Sequence, residues 1–216
     1  MVTVIPFSQA LRERTWSGHG ESESAGFMHD LMAGKGTRDD YVALVAQHYF
    51  VYEALESAAE RFAGDPEAQP FLSDQLTRMP ALETDLQFLL GDDWRAQIAP
   101  LPTTERYVAR IREIEADGWA GGFVAHHYTR YLGDLSGGQA IGRLMSRYFG
   151  FETNGILFYL FDQIADPKAF KETYREQLDA ASWEPNERER VIDEVLYAYR
   201  LNTELFDDLS RAKAAA

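Results

Sequence analysis

The sequence predicts an all-α protein that folds as a single bundle of about seven or eight helices. Apolar residues recur at intervals of three and four along most of the 216-residue chain, which is the period of amphipathic helices. No segment shows the alternation of apolar and polar residues that predicts a β-strand. Short connections separate the periodic segments, as they do in helical bundles. We therefore expect one domain over residues 1–210, followed by a disordered tail at residues 211–216.

Capping patterns and glycines mark four helices in the first half of the chain. Ser8 is the predicted cap of a first helix that runs toward His19. Thr37 and Asp40 form a capping-box pattern, which opens a long helix ending near Phe62. The other two are a helix around residues 82–90 that stops at Gly91, and a helix from Thr103 or Thr104 to about Gly118.

Three further helices are predicted in the second half by the same signals. Proline is favoured in the first turn of a helix, and glycine is favoured just after the last turn. The predicted helices run from Trp119 to Phe149 with Gly150 as the stop, from Pro167 through Leu178, and from a capping pattern at Asn186 and Glu189 through Leu209.

The composition excludes several classes of function. The formal net charge is −14, so nucleic acid and anionic lipid are poor partners for this surface. The chain contains no cysteine, which removes disulfides, thiolate metal ligands and cysteine nucleophiles. No leader resembling a signal peptide precedes the first helix, and no apolar run is long enough to span a bilayer. We expect a soluble cytoplasmic protein that does not bind membranes.

Four glycines interrupt the helical pattern at positions 133, 137, 138 and 142. Each glycine inside a helix costs about 1 kcal/mol relative to alanine, which is a large loss against a net stability of about 5–15 kcal/mol. One interpretation is close packing against another helix. The other is a kinked helix whose backbone lies against a flat ligand, with Gly133 and Gly137 on one face. Asp134 favours the second, because a packing seam gains nothing from a carboxylate.

The five histidines suggest one possible metal ligand. None has a glutamate three residues before it, so the di-iron pattern of helical bundles is absent. His48 falls on an apolar stripe and is expected to be a hydrogen-bonded core residue. His126 and His127 point in different directions, and we expect one of them to be buried and hydrogen-bonded. His19 lies four residues before Glu23, which is placed to accept its Nδ1 proton and leave Nε2 for a metal. A surface pair of the same spacing is the alternative interpretation.

The segment from Tyr128 to Gln139 reads YTRYLGDLSGGQ and resembles the signature of the biliverdin-forming haem oxygenases of mammals and bacteria. The resemblance extends over nearly the whole chain. It implies a haem sandwiched between a proximal helix and a kinked, glycine-rich distal helix. The other matching segments are His19 with Glu23 and Met28, residues 49–56, residues 171–175 and residues 202–206.

The resemblance also implies roles for individual residues. His19 would be the axial ligand of the iron, with Glu23 orienting its ring. The backbone of Gly133 and Gly137 would lie on the haem and its bound O2, beside a distal water network anchored by Asp134. Arg130, Tyr52 and Asn202 would support that network. The haem propionates would be held by Arg12, Tyr128, Lys171 and Arg175, and further haem contacts would come from Met28, Ser136 and Phe206.

The implied reaction is O2-dependent cleavage of haem b at its α-meso edge to biliverdin, CO and Fe2+, through a ferric hydroperoxide. An imidazole ligand lacks the electron push by which a thiolate favours O–O cleavage. Electrons would come from a ferredoxin, a flavodoxin or an NAD(P)H-dependent reductase. The membrane-anchoring tail of mammalian members has no counterpart, which suggests a soluble bacterial type, with iron acquisition as one possible role.

Two alternatives and one departure from the family pattern remain. A non-catalytic haem carrier or sensor on the same fold is the first alternative, although haem binding alone needs no Asp134. A related helical fold acting on thiamin-like compounds or a quinone precursor is the second, and the lack of cysteine disfavours it. Gly18 and Gly20 flank His19, where the family has helix-favouring residues, so we expect the proximal helix to fray or bend there.

Overall fold

A computed structural model describes residues 5–24 and 26–215, without the side chains of residues 19 and 21–24. Within these ranges it contains nine helices and no strand, so the all-α prediction is confirmed. Eight of the nine are longer than a single turn. In chain order they are α1 (Phe7–Ser24), α2 (Gly26–Met32), α3 (Arg38–Phe62), α4 (Met79–Leu90), α5 (Trp94–Gln97), α6 (Pro102–Asp117), α7 (residues 120–149), α8 (Pro167–Ala180) and α9 (Pro185–Ala215).

Most of the predicted helix ends are confirmed. The Thr37 side chain accepts from the Asp40 backbone, and the Asp40 side chain accepts from the Thr37 backbone, so the capping box of α3 is formed. Gly91, Gly118 and Gly150 follow α4, α6 and α7 with φ values of 92°, 63° and 72°. Only glycine adopts such conformations at little cost, which explains why each helix stops where it does.

Three predicted helix starts were wrong by one or two residues. Ser8 lies inside the first turn of α1, and its backbone N and its Oγ both donate to Asp179 of α8, at 2.7 and 3.0 Å. The cap of α1 is therefore supplied by a residue distant in sequence. Helix α6 begins at Pro102, before the two predicted threonines, and α9 begins at Pro185, before Asn186. In both cases a proline occupies the first helical position.

The expected disordered tail was also wrong for residues 211–215, which continue α9. Lys213 donates to Asp40 at the start of α3, with 2.7 Å between Nζ and Oδ2. Arg211 pairs with Asp208 one turn earlier. These contacts tie the end of the chain to the body of the bundle.

The predicted bend at Gly18 and Gly20 is not seen, because α1 is helical through both positions. A methyl group at Gly18 would lie 3.3 Å from Cβ of Tyr199 on α9. Gly18 therefore permits close packing of α1 on α9.

The long helices α3 and α9 organise the bundle. Helix α9 packs against α1, α2, α6 and α7, and α3 packs against α4, α6 and α7. Most of the inward-facing side chains of α3, from Tyr41 to Phe62, are buried. The middle of α7 thus lies near both α3 and α9. No helix in the described part of the chain combines the length and apolarity needed to cross a membrane.

Candidate functional site

A cavity of about 600 Å³ lies among α2, α3, α7 and α9. Such a volume is typical of pockets that enclose a small organic ligand. Met28 of α2, Leu44 of α3, Ile141 of α7 and Phe206 of α9 give it apolar walls. Its largest contribution comes from α7, which lines it from Thr129 to Ile141.

Helix α7 changes to π-helical geometry where it lines this cavity. The π-helical stretches are Tyr128–Leu132 and Asp134–Gly138, and α-helix continues on both sides. π-helical turns are uncommon and often occur at functional sites, because the wider turn changes where side chains and backbone point. The irregularity lies where the sequence predicted a kink.

The glycines of α7 serve two different purposes. Gly133 and Gly137 line the cavity, and a methyl group at Gly133 would meet no atom within 4 Å. Bare backbone therefore faces open space at Gly133. By contrast, methyl groups at Gly138 and Gly142 would lie 3.2 and 2.8 Å from carbon atoms of Tyr159. Both interpretations of the glycine pattern thus hold, each for different residues.

A buried polar network joins three helices beside Gly133. Tyr52 of α3 donates a hydrogen bond to Asp134. Arg130 donates from Nη1 to Oδ1 of Asn202 on α9 at 2.9 Å. The guanidinium carbon of Arg130 lies 5.0 Å from the centre of the Tyr52 ring. The four predicted distal residues are therefore in one place.

The protonation of Asp134 is set by burial, which favours the proton, against the charges of this network, which oppose it. Burial raises the pKa of Asp134 to about 6, although Arg130 and the Tyr52 hydrogen bond act in the opposite direction. Burial alone would lower the pKa of Arg130, but Tyr52 and Asp134 nearby raise it, so the guanidinium stays charged. A buried carboxyl group with this pKa can take up or release a proton near neutral pH.

The predicted cationic group lies where α8 approaches α1 and α7. Lys171 donates from Nζ to Oγ of Ser136 at 3.1 Å. Arg12 and Arg175 line one cleft of about 760 Å³ between α1 and α8. Burial raises the pKa of Tyr128, and the positive charges of Arg175 and Arg12 partly offset this. Burial and nearby Arg175 lower the pKa of Lys171.

The predicted iron ligand can be located only by its backbone. His19 and Glu23 belong to α1, but their side chains lie outside the described part of the chain. The two other histidines flagged in the sequence are both buried and bonded. His126 Nε2 lies 2.8 Å from Oε1 of Glu194, and His127 Nδ1 lies 2.9 Å from the hydroxyl of Tyr174.

The prediction for His48 is confirmed for its burial and was wrong for the hydrogen bonding of Nδ1. His48 is buried but lines the cavity, and its Nδ1 has no hydrogen-bond partner. The apolar periodicity of the sequence predicts the burial of His48, but it does not show whether the ring nitrogens have hydrogen-bond partners. Tyr159, in the loop after α7, also lines the cavity and was missed. No helical pattern covers that loop, so the sequence carried no signal for its position.

These features define an all-helical protein with a pocket that has apolar walls and bare helix backbone, next to a cleft lined by arginines. Bare helix backbone offers a flat surface, and the cations provide partners for carboxylates. The chain matches the family model described as "Heme oxygenase" over residues 5–208.

Similar proteins agree with that match. The chain is 35% identical to haem oxygenase 1 of Synechocystis sp. over 205 residues, covering 95% of this chain and 85% of that protein. Identity to human haem oxygenase 1 is 38% over 205 residues, or 94% and 71% of the two chains. The crystal structure of the Synechocystis haem oxygenase-1 in complex with haem superimposes with a TM-score of 0.90 at 34% identity, covering 98% and 97% of the chains. The chain belongs to the haem oxygenase family, whose members degrade haem.

Proposed function

We propose that this chain binds haem b in the cavity and uses O2 to cleave its α-meso edge, giving biliverdin, CO and Fe2+. The observation that carries the proposal is the open backbone at Gly133 directly beside the Asp134 network, in one cavity. A flat ligand can approach the helix there, and a proton-exchanging carboxyl group is within the same wall.

Haem fits the residues that line this cavity. Its apolar ring suits Met28, Leu44, Ile141 and Phe206. Its propionates suit Lys171, which donates to Ser136 in the cavity wall, and the arginines of the neighbouring cleft. Haem oxygenase-1 of Synechocystis was crystallised in complex with haem, and this chain has the same fold. Bound haem would supply both the iron that activates O2 and the meso carbon that is oxidised.

Gly133 and Gly137 would leave the distal side of the ligand without a covering side chain. No imidazole or guanidinium on these positions could then reach the distal ligand and promote O–O cleavage. The backbone itself would restrict the space above the ring, which orients whatever binds between helix and haem. This role needs the open space that Gly133 has and that Gly142 lacks.

Asp134 would hold and deliver a proton through water in the cavity. Its pKa of about 6 keeps both protonation states accessible near neutral pH. The Tyr52 hydroxyl fixes the carboxyl group, and Arg130, held by Asn202, supplies a positive charge nearby. These residues would place the proton on one side of the cavity only.

The cationic group would select which edge of the haem is oxidised. Arg12, Lys171 and Arg175, with the Tyr128 hydroxyl, would hold the propionates and so fix the rotation of the ring. Arginine pairs with carboxylates through two parallel hydrogen bonds, which resists rotation better than a point charge does.

His19 would hold the iron, with Glu23 orienting its ring through Nδ1. Electrons would come from a ferredoxin, a flavodoxin or an NAD(P)H-dependent reductase. The protein is acidic overall, so an acidic donor would need a local cationic surface such as that of Arg12 and Arg175.

The test is haem addition followed by O2 and a reducing system. We expect a Soret band on haem binding, its loss during turnover, and formation of biliverdin with CO. A Soret band that persists without biliverdin would support the carrier or sensor instead. The matched variant is Asp134→Asn, which keeps the shape of the side chain and removes its proton exchange. We expect this variant to bind haem and to form little biliverdin.

A further inference from the structure

His48 is a polar residue in the wall of the cavity, one helical turn before Tyr52 on α3. Its Nδ1 is buried and lacks a hydrogen-bond partner, and the residue is only 6% exposed. Its ring is held between two others, with centroid distances of 6.3 Å to Tyr52 and 5.0 Å to Phe158. An apolar side chain would fill this position without leaving a polar atom unpaired, so the imidazole calls for a further explanation.

Two other residues of the same cavity share this property. Arg130 Nε and the Tyr159 hydroxyl are also buried without a partner. The Tyr159 hydroxyl is not needed for packing, because the contacts with Gly138 and Gly142 are made by its ring carbons and Cβ. Phenylalanine would make those contacts equally well. Three unpaired polar atoms therefore belong to residues of one cavity.

A buried water molecule would supply these atoms with hydrogen-bond partners. Water in a protein interior is usually held by two to four polar partners. Burial lowers the pKa of His48 well below its usual value, and the charge of Arg130 adds to this. The imidazole is therefore neutral and can accept a hydrogen bond at one nitrogen. Arg130 Nε can only donate, whereas the Tyr159 hydroxyl can donate or accept.

We propose that His48 and Tyr159 bind a water molecule in the cavity wall, and that this water extends the Asp134, Tyr52 and Arg130 network. The link is short, because the His48 ring contacts Tyr52, which donates to Asp134. Both are positioning residues, which act on a distal ligand through the water. The inference rests on the proposed haem site, since it assigns these residues to the distal side of that site.

The experiment compares the haem-loaded wild type with His48→Leu, Tyr159→Phe and His48→Gln. The control is Thr104→Val, because Thr104 Oγ1 is also buried and unpaired but Thr104 does not line the cavity. The readouts are the C–O stretching band of the ferrous CO complex and the midpoint pH of the ferric acid–alkaline transition. Neither depends on turnover.

We expect His48→Leu and Tyr159→Phe to move the C–O band and to shift the midpoint by about one pH unit, a tenfold change in proton affinity. His48→Gln should return both toward the wild type, and Thr104→Val should change neither. Unchanged spectra in His48→Leu with haem bound would overturn the proposal. A shift in His48→Leu alone would overturn the assignment of Tyr159 to the same water.

The haem-free protein gives an independent answer. A high-resolution crystal structure should contain a water within hydrogen-bond distance of His48 Nδ1 and of Tyr159 or Arg130, and the His48→Leu crystal should lack it. Absence of this water from the wild-type crystal structure would also overturn the proposal. Failure of the wild type to take up haem would instead reject the proposed function, so the two failures are distinguishable.

Discussion

The hydroxyl of Tyr52 on α3 donates a hydrogen bond to the carboxyl group of Asp134 in the π-helical part of α7. Tyr52 is buried, Asp134 is half-buried in the cavity wall, and the bond holds the carboxyl group beside the open backbone of Gly133. The bond favours the ionised form of Asp134 and thus limits how far burial raises its pKa. The geometry of α3 therefore influences the protonation of a residue on another helix.

Replacing Tyr52 by phenylalanine removes this donor and leaves the ring in place. We expect the pKa of Asp134 to rise further above about 6, because burial then acts with one fewer opposing contact. Loss of a hydrogen bond to a charged group costs about 1.5–3 kcal/mol, so turnover should fall about tenfold or more. The measurement is the pH profile of biliverdin formation, whose alkaline limb should move to higher pH because Asp134 keeps the proton that it delivers up to a higher pH.

The control for Tyr52→Phe is its affinity for haem. Affinity within about twofold of the wild type is expected, since the pocket keeps its shape. A lower rate with an unmoved pH profile would contradict the role assigned to the hydrogen bond.

The glycines of α7 lead to opposite predictions for two alanine variants. Gly133→Ala should stabilise the haem-free protein by about 1 kcal/mol, because alanine favours the helix and its methyl group meets no atom. It should also weaken haem binding, since the methyl group enters the cavity. Gly142→Ala should instead destabilise the haem-free protein by about 1–3 kcal/mol through the clash with Tyr159.

The measurements are urea unfolding of the haem-free variants and haem titration of each. The prediction requires opposite signs for the two changes in unfolding free energy. If both variants were destabilised equally and bound haem alike, the separation of a ligand-facing glycine from a packing glycine would be wrong.

The sequence predicted much of this fold because local signals and tertiary packing agree. The capping box at Thr37 and the glycine stops at Gly91 and Gly150 depend on neighbouring residues alone. Helix starts that depend on residues distant in sequence were harder to predict, as the bonds from Ser8 to Asp179 illustrate. The helical tail likewise depends on Lys213 reaching Asp40, which lies far away in sequence.

The candidate site was located in the sequence for the opposite reason. Asp134 and the glycines of α7 are unfavourable residues for the helix that contains them. Such conflicts between residue type and local structure mark functional positions. The two π-helical stretches differ too little in period from an α-helix to be read from the pattern. His48 lies on the apolar stripe of α3. The apolar pattern predicts its burial but carries no information about whether Nδ1 has a hydrogen-bond partner.

Asp85 predicts a pH dependence of stability that is separate from catalysis. Its carboxylate accepts from the backbone N atoms of Gly155, Leu157 and Phe158, at 2.7, 3.1 and 2.9 Å, and so holds the loop that carries Tyr159. Burial nevertheless raises the pKa of Asp85 to about 6. A carboxyl group with a raised pKa in the folded state stabilises the fold fully below its unfolded pKa, and this contribution is lost as pH rises through about 6.

Between pH 4 and pH 7 the wild type should therefore lose about 2 kcal/mol more unfolding free energy than Asp85→Asn. Urea unfolding of the haem-free proteins at both pH values gives the comparison. Glu194→Gln is the control of opposite sign, because Arg110 and His126 lower the pKa of Glu194 to about 2 against the effect of burial. Its contribution is present above pH 4.5 and is lost as pH falls toward 2. Identical pH slopes for the wild type and Asp85→Asn would refute the prediction.

Lys171 allows a test of the propionate assignment with a control on the same helix. Lys171→Met removes the cation that contacts Ser136, whereas Lys168→Met removes an exposed cation whose side chain is 86% accessible. We expect about tenfold weaker haem binding only for Lys171→Met, the loss that one charge-assisted hydrogen bond implies. The product should also contain biliverdin isomers from other meso edges, which chromatography separates. Equal affinities and a single isomer in both variants would remove Lys171 from the haem site.

His19→Ala tests the iron ligand, which the sequence suggests and whose backbone lies in α1. We expect this variant still to bind haem, because the apolar walls and the cationic group are intact. We also expect its complex to lack the spectrum of the imidazole-ligated form. Turnover should fall by at least about a hundredfold. Added imidazole should restore the spectrum and part of the activity, since a free ligand can occupy the space that the side chain leaves. His29→Ala is the control, because His29 lines the cavity and belongs to the neighbouring helix α2. A variant lacking His19 that turns over at the wild-type rate without imidazole would show that another residue binds the iron, and His29 would be the first to examine.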